Sequence, residues 1–174
     1  MTTFVALLRG INVGGRRMLP MKELTALFAR AGATNVRTFI QSGNVVFDAK
    51  AAPPVIERVR GAIEKQFGFD VPMVVRSAEA LQGVVASSPF DDVEHVHMVF
   101  LEGQPTPGMV KALDPRRSPP DRFVVRGSDV FLHLPNGVAR TKLSNAWFDS
   151  QLKTVSTVRN WKTVLELVRM SSGH

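Results

Sequence analysis

The 174-residue chain contains no cysteine and no tyrosine. Without thiols there can be no disulfide framework, no thiolate metal site and no cysteine nucleophile. Long apolar runs are also missing. Phe4–Leu8 is interrupted at Arg9, and later runs break after about five residues, far short of the ~20 that cross a bilayer. The start, Met1-Thr2-Thr3, lacks the positive charge and extended apolar core of a secretory signal. The expected setting is therefore the cytoplasm, with no membrane partner. Charge of one sign is never concentrated either, because only Arg16-Arg17 and Arg116-Arg117 are adjacent basic pairs. Neither a Gly-Lys-Ser/Thr phosphate loop nor a Gly-x-Gly-x-x-Gly dinucleotide fingerprint occurs.

What is present is globular. Hydrophobic residues make up 44% and charged residues 21%, close to the average for folded domains. Eleven Phe and two Trp supply the bulk of a core. The formal net charge of +7 favours polyanionic partners: nucleic acid, anionic lipid or a phosphorylated metabolite. A dispersed basic surface that only keeps the protein in solution is the competing reading.

Periodicity and breakers divide the chain consistently. Thr3–Leu8 reads as a strand buried on both faces. A helix follows Pro20, with Met21, Leu24, Leu27, Phe28 and Ala31 on one face and Gly32 as its stop. Val36–Gln41 and Asn44–Asp48 read as strands around Ser42-Gly43. A second helix carries Val55, Ile56, Val59, Ile63 and Phe67 between Pro53-Pro54 and Gly68, and Val71–Arg76 is a fourth strand. The order βαββαβ is that of the ferredoxin-like fold. Ser77 caps a connecting helix that ends near Pro89. The pattern then recurs: a strand at Val96–Leu101, a short helix around Met109 and a proline-rich, loosely held loop at Asp114–Asp121. A hairpin of Arg122–Val125 and Asp129–Leu134 follows. Next come a helix with Leu143, Ala146, Trp147 and Ser150 on one face, a short strand at Thr154–Thr157, and a closing helix from Val158. The expected class is α+β, two ferredoxin-like (α-β plait) subdomains packed together. They occupy residues 1–76 and 95–170, with a connector at 77–94 and a tail at 171–174. Since the first strand is apolar on both faces, the second half is expected to cover the side of the first sheet away from its helices.

Topology brings particular loops together. In βαββαβ the end of the first strand shares a sheet edge with the turn between the second and third. Arg9–Gly15, long for a strand-to-helix connection, should meet Gln41–Asn44. In the second half the ends of the third and fourth strands share an edge, so His133, Asn136, Arg140 and Lys142 should approach Arg159 and Asn160.

Three stretches carry a resemblance: Ala6-Leu7-Leu8-Arg9-Gly10-Ile11-Asn12-Val13-Gly14-Gly15; Gln41-Ser42-Gly43-Asn44-Val45-Val46-Phe47; and Leu132–Gly137 together with Thr157–Val164. Nearly end to end, the chain resembles the bacterial family known as domain of unknown function 1697. The resemblance implies a two-subdomain ferredoxin-like fold and brings no activity with it. The family pattern Gly-x-Gly-Arg-Ser-Lys reads Gly137-Val138-Ala139-Arg140-Thr141-Lys142 here, and Lys162 stands where Asn commonly follows Arg-Asn-Trp.

Candidate ligand-binding residues follow from the two edges: Arg9, Asn12, Gly14, Gly15, Arg16, Gln41, Ser42 and Asn44 on the first, and His133, Asn136, Arg140, Lys142, Arg159 and Asn160 on the second. Glycines in the first loop permit positive φ and can leave N–H groups free for an anion. A purely structural loop over the sheet edge explains the same residues. His95 and His97 alternate on a predicted strand beside Asp91, Asp92 and Glu94. With only the pair locally supported they read as surface histidines, so no metal and no cofactor is expected. Ser42 lacks the surroundings of a nucleophile elbow. The two tryptophans sit in helical apolar patterns and read as core rather than base-stacking platforms. The first strand offers only Phe4, which argues against an RNA recognition module. The leading expectation is a binding protein for a phosphate-bearing or other anionic ligand, nucleic acid included. An enzyme acting on a small anionic metabolite, or an assembly protein with no ligand, are the alternatives. Catalytic residues and oligomeric state are not legible.

Overall fold

A computed structural model describes residues 1–40 and 43–172. The protein is α+β, with two four-stranded antiparallel sheets and six helices among the described residues. It forms two compact units. One comprises Met1–Gln82 together with the chain from Glu166 onward, and the other is Gly83–Leu165.

The first unit contains β1 (Thr2–Leu8), α1 (Met21–Arg30), β2 (Thr34–Phe39), β3 (Asn44–Ala49), α2 (Ala52–Phe67) and β4 (Met73–Ser77). Its sheet order is β2-β3-β1-β4, with every neighbour antiparallel. One face of the sheet packs Ala6, Leu8, Val45 and Phe47 against Leu24 and Phe28 of α1 and Val55, Val59 and Ile63 of α2. Phe47 lies 5.2 Å from Phe28, ring centre to ring centre. Val5 and Leu7, on the opposite face of β1, are equally inaccessible. The apolar run Phe4–Leu8 of β1 requires such burial. Pro20 precedes α1, and Gly68 closes α2 in the left-handed region with its N–H donating to the Glu64 carbonyl at 2.9 Å.

β2 starts two residues earlier than its sequence suggests and stops at Phe39, because Ile40 takes φ +52° and turns the chain. β4 begins only at Met73: Pro72 has no N–H to give a ladder, and its carbonyl instead accepts from Arg9 N at 3.0 Å. Asp48 fastens the far end of the sheet, accepting from Asn35 Nδ2 at 2.8 Å and Thr3 Oγ1 at 2.7 Å.

Helix α3 (Ala78–Ala86) starts at Ser77, whose Oγ accepts from Ala80 N at 3.1 Å. A 3-10 turn at Val93–His95 then leads into β5 (Val96–Leu101), α4 (Pro107–Lys111), β6 (Arg122–Arg126), β7 (Asp129–His133), α5 (Asn145–Leu152), β8 (Ser156–Asn160) and α6 (Trp161–Ser171). The second sheet, β6-β7-β5-β8, repeats the order and sense of the first. Its helix-side core joins Val99, Leu101, Val130 and Leu132 to Leu143, Phe148 and Leu152.

Three expectations change here. Helix α5 buries Phe148 and Leu152, while Ala146 and Ser150 are exposed. Leu143 lies before the cap Ser144, whose Oγ accepts from Trp147 N, so the i, i+3, i+4, i+7 series begins two residues outside the helix. The last strand is Ser156–Asn160 rather than Thr154–Thr157. Val158 belongs to it, paired with Val99, and α6 starts only after Asn160. The Val158-to-Trp161 spacing imitates a helical period across a strand-helix junction. The Asp114–Asp121 segment is anchored rather than loose. Ser118 and Asp121 are both buried, Ser118 Oγ donates to Asp121 Oδ2 at 2.9 Å, and the same Oγ accepts from Lys142 N at 3.0 Å.

Two outcomes follow for stability. A Cβ on Gly43 would stand 2.8 Å from Leu8 Cβ and 2.8 Å from Ile11 Cδ1, at φ +94°. Gly43→Ala should therefore cost about 2–4 kcal/mol in urea unfolding, from overpacking plus left-handed backbone strain; a loss indistinguishable from zero would mean the close approach is not real. The hydrogen bonds from Asn35 and Thr3 hold the Asp48 carboxyl below its ordinary range. A depressed carboxylate pKa stabilises the fold above the unfolded value and is lost as pH falls through the folded one. The acid limb of the unfolding-midpoint profile, below about pH 4, should accordingly be shallower in Asp48→Asn than in wild type.

Candidate functional site

On the first unit, pairing of Leu7 with Asn44 sets the end of β1 beside the start of β3. Leu8 N donates to the Gly43 carbonyl at 2.9 Å, and buried Ile11 packs on Gly43. Arg9–Gly15 thus touches the described part of the turn; Gln41 and Ser42 lie outside the described residues. Beyond Ile11 the chain forms a small hairpin. Asn12 N donates to the Arg17 carbonyl at 3.1 Å, and Arg16 N to the Val13 carbonyl at 3.0 Å. Gly14 and Gly15, at φ +60° and +73°, supply the two positive-φ residues of its tip.

Each candidate here has a distinct position. The Asn12 amide is committed to the backbone, donating from Nδ2 to the Leu19 carbonyl at 2.9 Å and accepting at Oδ1 from Leu19 N at 2.7 Å. Asn44 is fully buried, and its Nδ2 donates to the Phe39 carbonyl at 2.9 Å. Both amides brace loops. Arg9 is half-buried, whereas Gly14, Gly15 and Arg16 are exposed at the tip. Exposed Val13 and Met18 flank them. Arg17, not anticipated from the sequence, pins the hairpin down: its guanidinium donates to the Asp70 carbonyl and lies 5.0 Å over the Phe69 ring.

On the second unit β5 is central, and Val96 pairs with His133 while His97 pairs with Asn160. The ends of β7 and β8 therefore flank the start of β5, as the topology requires. Asp92 is the meeting point. Its Oδ2 is 2.8 Å from His95 Nδ1 and 3.1 Å from His133 Nε2, and these two hydrogen bonds, His95 first, hold its carboxyl below the ordinary range. His133 stacks against Phe90 at 5.3 Å, with its Nδ1 buried and without a partner among the described residues.

Arg159 is buried and reaches Thr157 Oγ1 at 2.5 Å and the Val158 carbonyl at 2.9 Å. Burial pulls its pKa down to about 10, so it remains cationic at neutral pH. Asn160 Oδ1 caps α6, accepting from Thr163 N at 2.8 Å. Lys142 is tied by its backbone to Ser118 and Arg117, in the loop before β6. Asn136 and Arg140 are exposed and make no hydrogen bond among the described residues. A cavity of about 450 Å3 opens beside the edge, lined by Val93, Glu94, His97, Asn160, Trp161, Lys162 and Leu165. Burial holds His97 below the ordinary histidine pKa, in the neutral form at pH 7.

His95 and His97 do not share a strand face. His95 sits in the 3-10 turn ahead of β5 and turns to Asp92. The Asp92-x-x-His95 spacing was a usable local signal, since i and i+3 meet in a turn. The third member, His133, is 41 residues from Asp92 and is visible only through strand pairing.

One solved structure, described as that of conserved bacterial protein SP0830 from Streptococcus pneumoniae, is similar with a TM-score of 0.68. The two share 22% identity over 98% of each chain, a likeness of fold. No curated protein matches the sequence. The family model described as "Protein of unknown function (DUF1697)" matches residues 1–131, and the chain belongs to that family.

Proposed function

We propose that the protein binds a phosphate-bearing or otherwise anionic ligand at the loop edge of its first unit, with single-stranded nucleic acid the favoured class. One observation carries the reading: the Gly14-Gly15 tip is exposed beside an Arg16 side chain that makes no hydrogen bond or ion pair among the described residues. Asn12, Leu19 and Arg17 hold the hairpin by other bonds, so Arg16 is not needed to shape it. A guanidinium presented next to exposed glycine N–H groups matches the geometry of a phosphate oxygen. The net charge of +7 adds the long-range attraction, and exposed Val13 and Met18 offer apolar surface to bases. The shared strand order of the two sheets and their βαββαβ sequence support reading each unit as a ferredoxin-like plait. Among the described residues no helix is long and apolar enough to cross a membrane, and a cytoplasmic setting accords with the nucleic-acid reading.

The second reading, an enzyme acting on a small anionic metabolite, is favoured by the cavity beside His97, Asn160 and Lys162. It combines one neutral imidazole, one amide and one cation in a recess of small-molecule size.

Titration of a fluorescent single-stranded oligonucleotide against salt tests the first reading. Wild type should bind with a falling log K against log salt, and Arg16→Ala should reduce the slope by roughly one phosphate contact at unchanged melting temperature. Absent oligonucleotide binding by wild type, or an unchanged slope in Arg16→Ala, would remove the hairpin tip as the site. Stabilisation by a small phosphorylated compound that Lys162→Ala abolishes would establish the cavity instead.

A further inference from the structure

We propose that Asp92, His95 and His133 form a binding site for a divalent transition metal of the zinc class. The three side chains come from two segments whose backbones are already joined. His133 pairs with Val96 in the sheet, Leu134 N donates to the His95 carbonyl at 2.9 Å, and His95 N to the Asp92 carbonyl at 3.2 Å. Their ligand atoms, one carboxylate oxygen, one Nδ1 and one Nε2, all lie within 4.8 Å of one another. Two imidazoles with one carboxylate are a borderline donor set that suits zinc, cobalt or iron(II), and not the all-oxygen shells of magnesium or calcium.

The two distances from Asp92 fit with side-chain adjustment alone. Around a tetrahedral ion with bonds of about 2.0–2.2 Å, neighbouring ligand atoms stand roughly 3.3 Å apart. The present separations from Asp92 Oδ2, 2.8 Å to His95 and 3.1 Å to His133, need to open by a few tenths of an ångström. Rotation of an exposed carboxylate supplies that. The imidazole of His133 is committed to this point, since its other nitrogen is buried with no partner among the described residues and its ring is stacked on Phe90. Asp92 and His95 keep 51% and 41% of their side-chain surface exposed, which leaves a path for the ion and an open fourth position for water or an anion.

Isothermal calorimetry of the chelator-treated full chain with zinc chloride, backed by cobalt(II) absorption spectra and melting curves, tests the site. Wild type should bind one equivalent, show the intense visible bands of tetrahedral cobalt, and melt higher with zinc. Asp92→Asn and His95→Ala alter exposed side chains, and circular dichroism should find both folded. Each should weaken binding by roughly a hundredfold or more and lose the cobalt bands. His174→Ala, which removes a histidine at the C-terminus of the sequence, should bind as wild type does. Failure of wild type to bind zinc, or binding that survives in both Asp92→Asn and His95→Ala, overturns the proposal.

Discussion

The central strands β1 and β5 are hydrogen-bonded on both sides, and the rest of each unit is arranged around them. A strand paired on both edges has no free ladder, so the segments entering and leaving it must cross the sheet edge among the ends of its neighbours. In the first unit this places Arg9–Gly15 over Gly43, where an absent Cβ allows Ile11 to close in. In the second it gathers Asp92, His95, His133 and Asn160 within a few residues of Val96. The same connectivity thus creates both polar edges, although the residues filling them differ.

The difference lies in how polar groups are used. On the first edge the amides of Asn12 and Asn44 saturate loop backbone groups, because a loop crossing a packed sheet leaves N–H and carbonyl groups that water cannot reach. The exposed residues Gly14, Gly15 and Arg16 stand further out, at the hairpin tip. On the second edge the backbone is satisfied largely by the sheet and by the cap on α6, so imidazole and carboxylate groups face one another. Arg159 lies between these cases: buried, still positive at neutral pH, and held by oxygen acceptors on its own strand.

Much of the architecture was legible in the residues. Proline before α1 and in the first turn of α2, glycine after both, and the apolar stretches Phe4–Leu8 of β1 and Met98–Leu101 of β5 gave element types and order. The errors arose at junctions. Val158 and Leu143 each satisfy a helical spacing while lying outside the helix, because periodicity registers apolar recurrence and not where a hydrogen-bonded turn begins. The Asp114–Asp121 loop looked mobile from its prolines, yet a serine hydroxyl and a buried carboxylate fasten it from within.

The sequence by itself determined the α+β class, the order of strands and helices, and the approach of the Arg9–Gly15 loop to the start of β3, since these depend on local propensity and short connections. It also marked Gly14-Gly15 as residues able to take positive φ, as they do at the hairpin tip, whereas Asn12, a ligand candidate in the sequence, is spent on the Leu19 backbone. Only the tertiary structure decided that Arg17 anchors the hairpin to Asp70 and that His133 reaches Asp92. Those outcomes rest on contacts 53 and 41 residues apart in the chain, which are set by strand register and side-chain rotamer, and neither leaves a mark on the spacing of residues along a sequence.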